Sequence, residues 1–139
     1  MQLLRYSLWF IAILACLTGA MDILVGATAQ ANIGIALSKD QLLDPVLNSQ
    51  IHFLGAIWFG YGLLLIYGLQ DLGQRASLVA GALGFLILGG IGRLIAIAQS
   101  GVPESTAGIG FIIFALVVEL LLAPVQVIAL RRISSSQGE

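Results

Sequence analysis

Four ionisable side chains interrupt otherwise apolar sequence: Asp22, His52, Arg93 and Glu119. Two carboxylates, a guanidinium and an imidazole can form ion pairs or hold a charged head group. They can also relay protons, since an imidazole titrates near neutrality. Arg93 poses the sharpest question, because it lies in "LILGGIGRLIAIAQSG" with glycines packed before it. Ionisable groups inside a membrane span are functional-site candidates by default, since an uncompensated charge in hydrocarbon is expensive. One histidine and two carboxylates on separate helices make a weak metal signal. Cys16 is the only cysteine, which excludes an intramolecular disulfide and any multi-cysteine metal site. Neither a metal nor a cofactor is expected.

The elements that must position these groups are membrane helices. The chain has 139 residues, 59% hydrophobic and 9% charged, with a mean hydropathy of +1.03; soluble domains carry roughly 25% charged residues. Four apolar runs, 7–29, 51–69, 76–98 and 107–130, each approach the roughly 20 residues that cross a hydrocarbon core. The expected fold is therefore all-α, an integral membrane four-helix bundle with short loops, forming one four-span domain over 1–139. Six basic and seven acidic residues give no footprint for nucleic acid. Arg5, an apolar stretch and "ATAQA" imitate a secretory signal, but the run is longer than a signal's apolar region and further spans follow. "ILAC" ending at Cys16 hints at lipoprotein processing, although Leu14 suits that site poorly. With both termini cytoplasmic, Arg5, Arg75, Arg131 and Arg132 lie inside and Lys39 outside, as the positive-inside rule requires. The expected location is the plasma (inner) membrane, crossed several times.

Small residues recur at helical spacing in every span. The first carries Ala12, Ala15, Gly19, Asp22 and Gly26; the second Asn48, His52, Ala56 and Gly60, after an N-cap and first-turn proline at Asp44 and Pro45. The third carries Ala82, Gly89, Arg93, Ala96 and Ser100, and the fourth Gly108, Ala115, Glu119, Ala123 and Gln126. Membrane helices associate through small residues, which allow close backbone approach. These faces should turn inward, with Gly19, Gly60, Gly89, Gly90 and Gly92 as packing positions. Arg93, Glu119, Asp22, His52 and Asn48 would then form an inward polar cluster. A mid-span arginine costs on the order of 2.5–3.5 kcal/mol, which neighbouring Leu, Ile, Val and Phe offset at about 0.3–0.6 each. Arg93 lies about 9 Å outside its span's centre at 1.5 Å per residue, and Glu119 near the centre of the fourth. Helical side chains lean toward their own N-terminus, so Arg93 leans inward and Glu119 outward, and the two converge as a pair. Pro124 removes one backbone donor just beyond and is expected to bend the fourth helix.

"GGIGRLIAIAQSGVP", "VVELLLAPVQVIALRR" and "NSQIHFLGAIWFGYGL" together resemble a family of small four-helix bacterial membrane proteins catalogued as domain of unknown function 4345. The resemblance covers nearly the whole chain. Its most specific positions are Gly89, Gly90 and Arg93, then Gly101 and Pro103, then Glu119. The family commonly has an arginine where this chain has His52, so a role tied to that charge does not carry over. The resemblance implies the fold and singles out positions, and it implies no activity.

Two functional classes follow from the residues. In the first, a non-enzymatic membrane protein binds a membrane lipid or small amphiphile through the inward polar cluster, or assembles as a homo-oligomer or with another membrane protein. The alternative is a membrane-embedded enzyme acting on a lipid-like substrate, with Glu119 or Asp22 as acid or base and Arg93 as electrostatic stabiliser. The sequence shows no second histidine, metal-ligand cluster or activated nucleophile, which weighs against the enzyme.

Overall fold

Each helix starts and stops where local chemistry dictates. In the computed structural model, which describes residues 2–135 and side chains as far as 132, α1 (Gln2–Val25) runs until Gly26, whose φ of 64° breaks the helix. L-residues with a Cβ rarely adopt that conformation. A short α2 (Ala27–Asn32) follows, then α3 (Lys39–Leu43), which opens on a capping box between Ser38 and Gln41. Asp44 caps α4 (Pro45–Gln70), its Oδ1 accepting from the Leu47 N–H at 2.6 Å, with Pro45 in the first turn. Asp71 alone separates α4 from α5 (Leu72–Ser100) and caps it through the Gln74 N–H. Ser105 caps α6 (Thr106–Leu116), which passes through a π-helical turn (Val117–Leu122) into α7 (Ala123–Ser135).

Four of these helical stretches, Gln2–Val25, Pro45–Gln70, Leu72–Ser100 and Thr106–Arg132, are long and apolar enough to cross a membrane. Large apolar side chains such as Phe53, Phe85, Leu88 and Leu121 are exposed around the bundle, which is what a hydrocarbon solvent requires and water would penalise. The protein is an all-α, multi-pass membrane four-helix bundle.

The helices associate as two close pairs, α1 with α4 and α5 with α6–α7, joined chiefly by α4 against α5. The core that all share lies toward the end bearing the α4–α5 turn. Leu8, Ile11 and Ala12 of α1 meet Leu65 and Leu69 of α4, Val79, Leu83 and Leu86 of α5, and Val118, Ala123 and Leu130 of the last span. Toward the opposite end, the loop end, burial contracts to the seam within each pair. There the 101–108 turn bridges to the other pair, the Ser105 hydroxyl donating to the Gly34 carbonyl at 3.3 Å.

The seams fall on a different helical phase from the one that small residues alone suggest. A Cβ at Gly19 would lie 2.5 Å from the Phe59 backbone nitrogen, one at Gly55 would lie 2.5 Å from the Asp22 Cβ, and one at Gly62 would lie 2.5 Å from the Cys16 sulfur. The α1–α4 contact thus runs along Gly55 and Gly62, seven residues apart, which keeps both on one face. Ala56 and Gly60 are exposed, and nothing approaches a Cβ at Gly60. On α5 the buried line is Ala82, Leu86 and Gly90, with the half-buried Arg93 continuing it. A Cβ at Gly90 would meet Leu120 and Glu119, whereas Gly89 and Gly92 face open space, as do the exposed Ala96 and Ser100. Packing roles expected for Gly60, Gly89 and Gly92 are therefore not found among the described residues; of the five expected glycines, Gly19 and Gly90 make close approaches. The reason is geometric: successive residues turn by about 100°, so adopting Gly89 in place of Gly90 swings the predicted face away from the seam.

Candidate functional site

The last span presents Glu119 through its π turn. The Ala123 N–H donates to the Val118 carbonyl, five residues back, and the next residue, Pro124, has no N–H with which to continue that register. Inside the wider turn, Val118 and Glu119 are both buried although they are neighbours in sequence. Val118 joins the apolar core and Glu119 turns to α5. Inserted π turns are frequent at functional sites.

Across the seam, Arg93 donates its Nε–H to both carboxylate oxygens of Glu119, at 3.0 and 2.9 Å. Gly90, one turn earlier, makes room for this approach, because a Cβ there would stand 2.9 Å from that of Glu119. Burial is unequal: the Glu119 side chain is 8% exposed and the Arg93 side chain 37%. The guanidinium carbon sits 5.1 Å from the centre of the Phe111 ring, within cation–π range. A guanidinium has five N–H donors, and only one faces Glu119. Among the described residues, Nη1 and Nη2 make no hydrogen bond.

Asp22, Asn48 and His52 gather elsewhere, around the break at Gly26. Asn48 Oδ1 accepts from the Ala27 N–H at 3.0 Å, replacing the side-chain cap that Gly26 cannot supply. The Asn48 amide donates to the Leu42 carbonyl at 2.9 Å. His52 Nδ1 stands 2.8 Å from the Ile23 carbonyl; a carbonyl only accepts, so Nδ1 carries the proton in this contact. Both side chains therefore satisfy backbone groups that the helix ends leave open. They leave no room at the break, since a Cβ on Gly26 would lie 2.6 Å from Asn48 Oδ1 and 2.9 Å from His52 Nε2. Asp22 does something different: its Oδ1 accepts from the Gln30 amide at 2.7 Å, beside a cavity of about 250 Å³.

The five polar residues thus form two groups, with no hydrogen bond or ion pair between them among the described residues. Arg93 and Glu119 join α5 to the π turn; Asp22, Asn48 and His52 organise the α1–α2–α4 junction. Two contributors were not among the expected residues. Gln30 reaches Asp22 only because the Gly26 break redirects the chain, and Phe111 underlies Arg93 from α6. The glycine in "DILVGATAQ" was the available signal for the first. Gln126, buried like Glu119, donates to the Ser7 hydroxyl at 2.9 Å and ties α7 to α1. A larger hollow, about 370 Å³, lies between α5 and α7 near Ser77 and Arg131, away from both polar groups. No three His, Cys, Asp or Glu residues converge as a metal-ligand set among the described residues.

Residues 3–130 match the family described as Domain of unknown function (DUF4345), and the chain belongs to that family. No curated protein and no solved structure matches it.

Proposed function

Starting from a family that prescribes a fold and no reaction, we propose that this membrane protein is non-enzymatic and binds a lipid or small amphiphile with an anionic head at Arg93. The observation that carries the reading is the half-used guanidinium. Arg93 spends Nε on Glu119, while its Nη groups have no hydrogen-bond partner among the described residues and the side chain is 37% exposed. An arginine on a spanning helix with unmatched donors needs water or an oxygen-rich head group, and phosphate or carboxylate fits the planar fork. Arg93 lies seven residues before Ser100, about 10 Å below the end of α5 at 1.5 Å per residue. That depth suits a head group drawn slightly below the interface. With both oxygens engaged by Arg93, Glu119 acts as the counter-charge that holds the guanidinium in place.

The sidedness proposed with this reading puts both termini in the cytoplasm and the α5–α6 turn outside the plasma membrane. Arg5, Arg75, Arg131 and Arg132 support it by their place at the end opposite Lys39. Native mass spectrometry of the protein released from phosphatidylcholine nanodiscs doped with phosphatidylglycerol tests the binding. One retained phosphatidylglycerol per chain is expected, falling at least tenfold in Arg93→Leu and persisting in Glu119→Gln. Equal retention by Arg93→Leu, or an adduct-free oligomer of the wild type, overturns the proposal; the oligomer would favour assembly.

A further inference from the structure

We infer that the cavity beside Asp22 is a second binding site, of opposite sign, for a primary ammonium carried on an aliphatic chain. Its wall is aliphatic, with Ile35, Leu37, Ile51 and Leu54 among its lining, and its polar edge is Asp22 with Gln30. Gln30 donates its amide N–H to Asp22 Oδ1. Because a carboxylate only accepts, that contact fixes the amide's orientation. Asp22 Oδ2 and Gln30 Oε1 then remain as acceptors without a donor among the described residues. Gln30 keeps one amide N–H beside these acceptors, but the only formal charge on the lining is the Asp22 carboxylate, which favours a cation that brings donors, and a primary ammonium brings three.

The lining also selects against other cations. Quaternary ammonium groups have no N–H and are recognised by aromatic faces, and among the described residues no aromatic side chain lines this cavity. The stacked Trp58–Tyr61 pair, with ring centres 4.9 Å apart, lies outside the lining. A volume of about 250 Å³ falls below the roughly 300–1,000 Å³ typical of drug-sized sites. It suits an ammonium with a short length of chain, the remainder lying along the exposed apolar surface at Leu54. Position agrees with chemistry: Asp22 is three residues from the end of α1, about 5 Å at 1.5 Å per residue. Asp40, Asp44 and Glu104 share this end with a single lysine, Lys39, so the local field attracts cations.

The ammonium can come from a lipid head group or a free alkylamine. The test is native mass spectrometry of the full chain from nanodiscs of equal phosphatidylethanolamine and phosphatidylcholine, with and without hexylammonium chloride. Phosphatidylethanolamine retained at least tenfold over phosphatidylcholine, and displaced by hexylammonium, assigns the site to the lipid. Hexylammonium bound without lipid preference assigns it to free amines. Either retention should fall at least tenfold in Asp22→Asn, which keeps the Gln30 contact and removes the charge. It should fall equally in Ile51→Trp, which narrows the cavity at a half-buried lining position and keeps the carboxylate, and stay unchanged in Arg93→Leu. No lipid preference together with no hexylammonium adduct, or undiminished binding in folded Asp22→Asn, overturns the inference.

Discussion

Arg93 and Glu119 should be coupled, and unequally so. Removing one member of a buried ion pair typically costs about 3–5 kcal/mol, because the other is left uncompensated. Here the member left behind matters. Arg93→Leu strands a carboxylate whose side chain is 8% exposed, so its cost should sit in that range. Glu119→Leu strands a guanidinium that is 37% exposed and lies over Phe111. It can turn to water or head groups, so the cost should fall toward the roughly 1–3 kcal/mol of an unmatched polar group. The unfolded chain also stays in the membrane, where polar groups find other partners, which trims both figures without reversing their order. The double variant replaces both charges with apolar groups, a change that is often close to neutral. It should therefore be milder than Arg93→Leu, with a coupling near the upper end of the roughly 0.5–3 kcal/mol seen for contacting residues. Equilibrium unfolding of all four proteins in mixed micelles with increasing sodium dodecyl sulfate gives the cycle. Losses that add within about 0.5 kcal/mol, or a Glu119→Leu cost above that of Arg93→Leu, would refute the reasoning.

The glycines make a sharper local test. Gly19→Ala should destabilise by about 1–3 kcal/mol through overpacking against Phe59, while Gly60→Ala and Gly89→Ala, which face open space, should be neutral or stabilising by up to about 1 kcal/mol, as the same unfolding assay reads. Gly26→Ala meets both a left-handed backbone, costing about 1–2 kcal/mol, and the Asn48 side chain; it should speed amide exchange at Ala27 before it affects α5. Pro124→Ala restores a donor, so the π turn should relax toward α register, Glu119 should rotate away from Arg93, and the Arg93–Glu119 coupling should shrink in the same unfolding assay; an unchanged coupling would mean that packing alone holds the turn. On a Cys16→Ala background, an impermeant maleimide applied to intact cells should label Lys39→Cys and spare Arg75→Cys, and the reverse pattern would invert the proposed orientation.

Much of the architecture was legible because membrane spans announce themselves by length and composition, and because caps such as Asp44–Pro45 depend only on nearby residues. The Arg93–Glu119 contact was legible for a similar reason: helix direction, depth and side-chain lean are properties of single helices. The phase of each seam was not. Gly89, Gly90 and Gly92 are chemically equivalent in sequence, and only the partner helix distinguishes them, by placing Leu120 and Glu119 against Gly90. The same limit hid the division of the polar residues. Asn48 and His52 look like site residues until the break at Gly26 exposes the backbone groups they satisfy.

The π turn shows how one local irregularity serves two demands. An uninterrupted α-helix sets neighbouring residues about 100° apart, and the wider turn changes that angle where Val118 meets the shared core and Glu119 meets α5. Widening the turn just before Pro124 buries Val118 and Glu119 together, with the missing proline donor marking where the register must end. Glu119 then holds Arg93 by a single N–H on the seam that Gly90 opens, and the other guanidinium donors have no hydrogen-bond partner among the described residues. A charge kept in place for stability alone would be expected to spend more of its donors on the protein. That imbalance, more than the presence of the pair, is what supports the proposed binding role of Arg93.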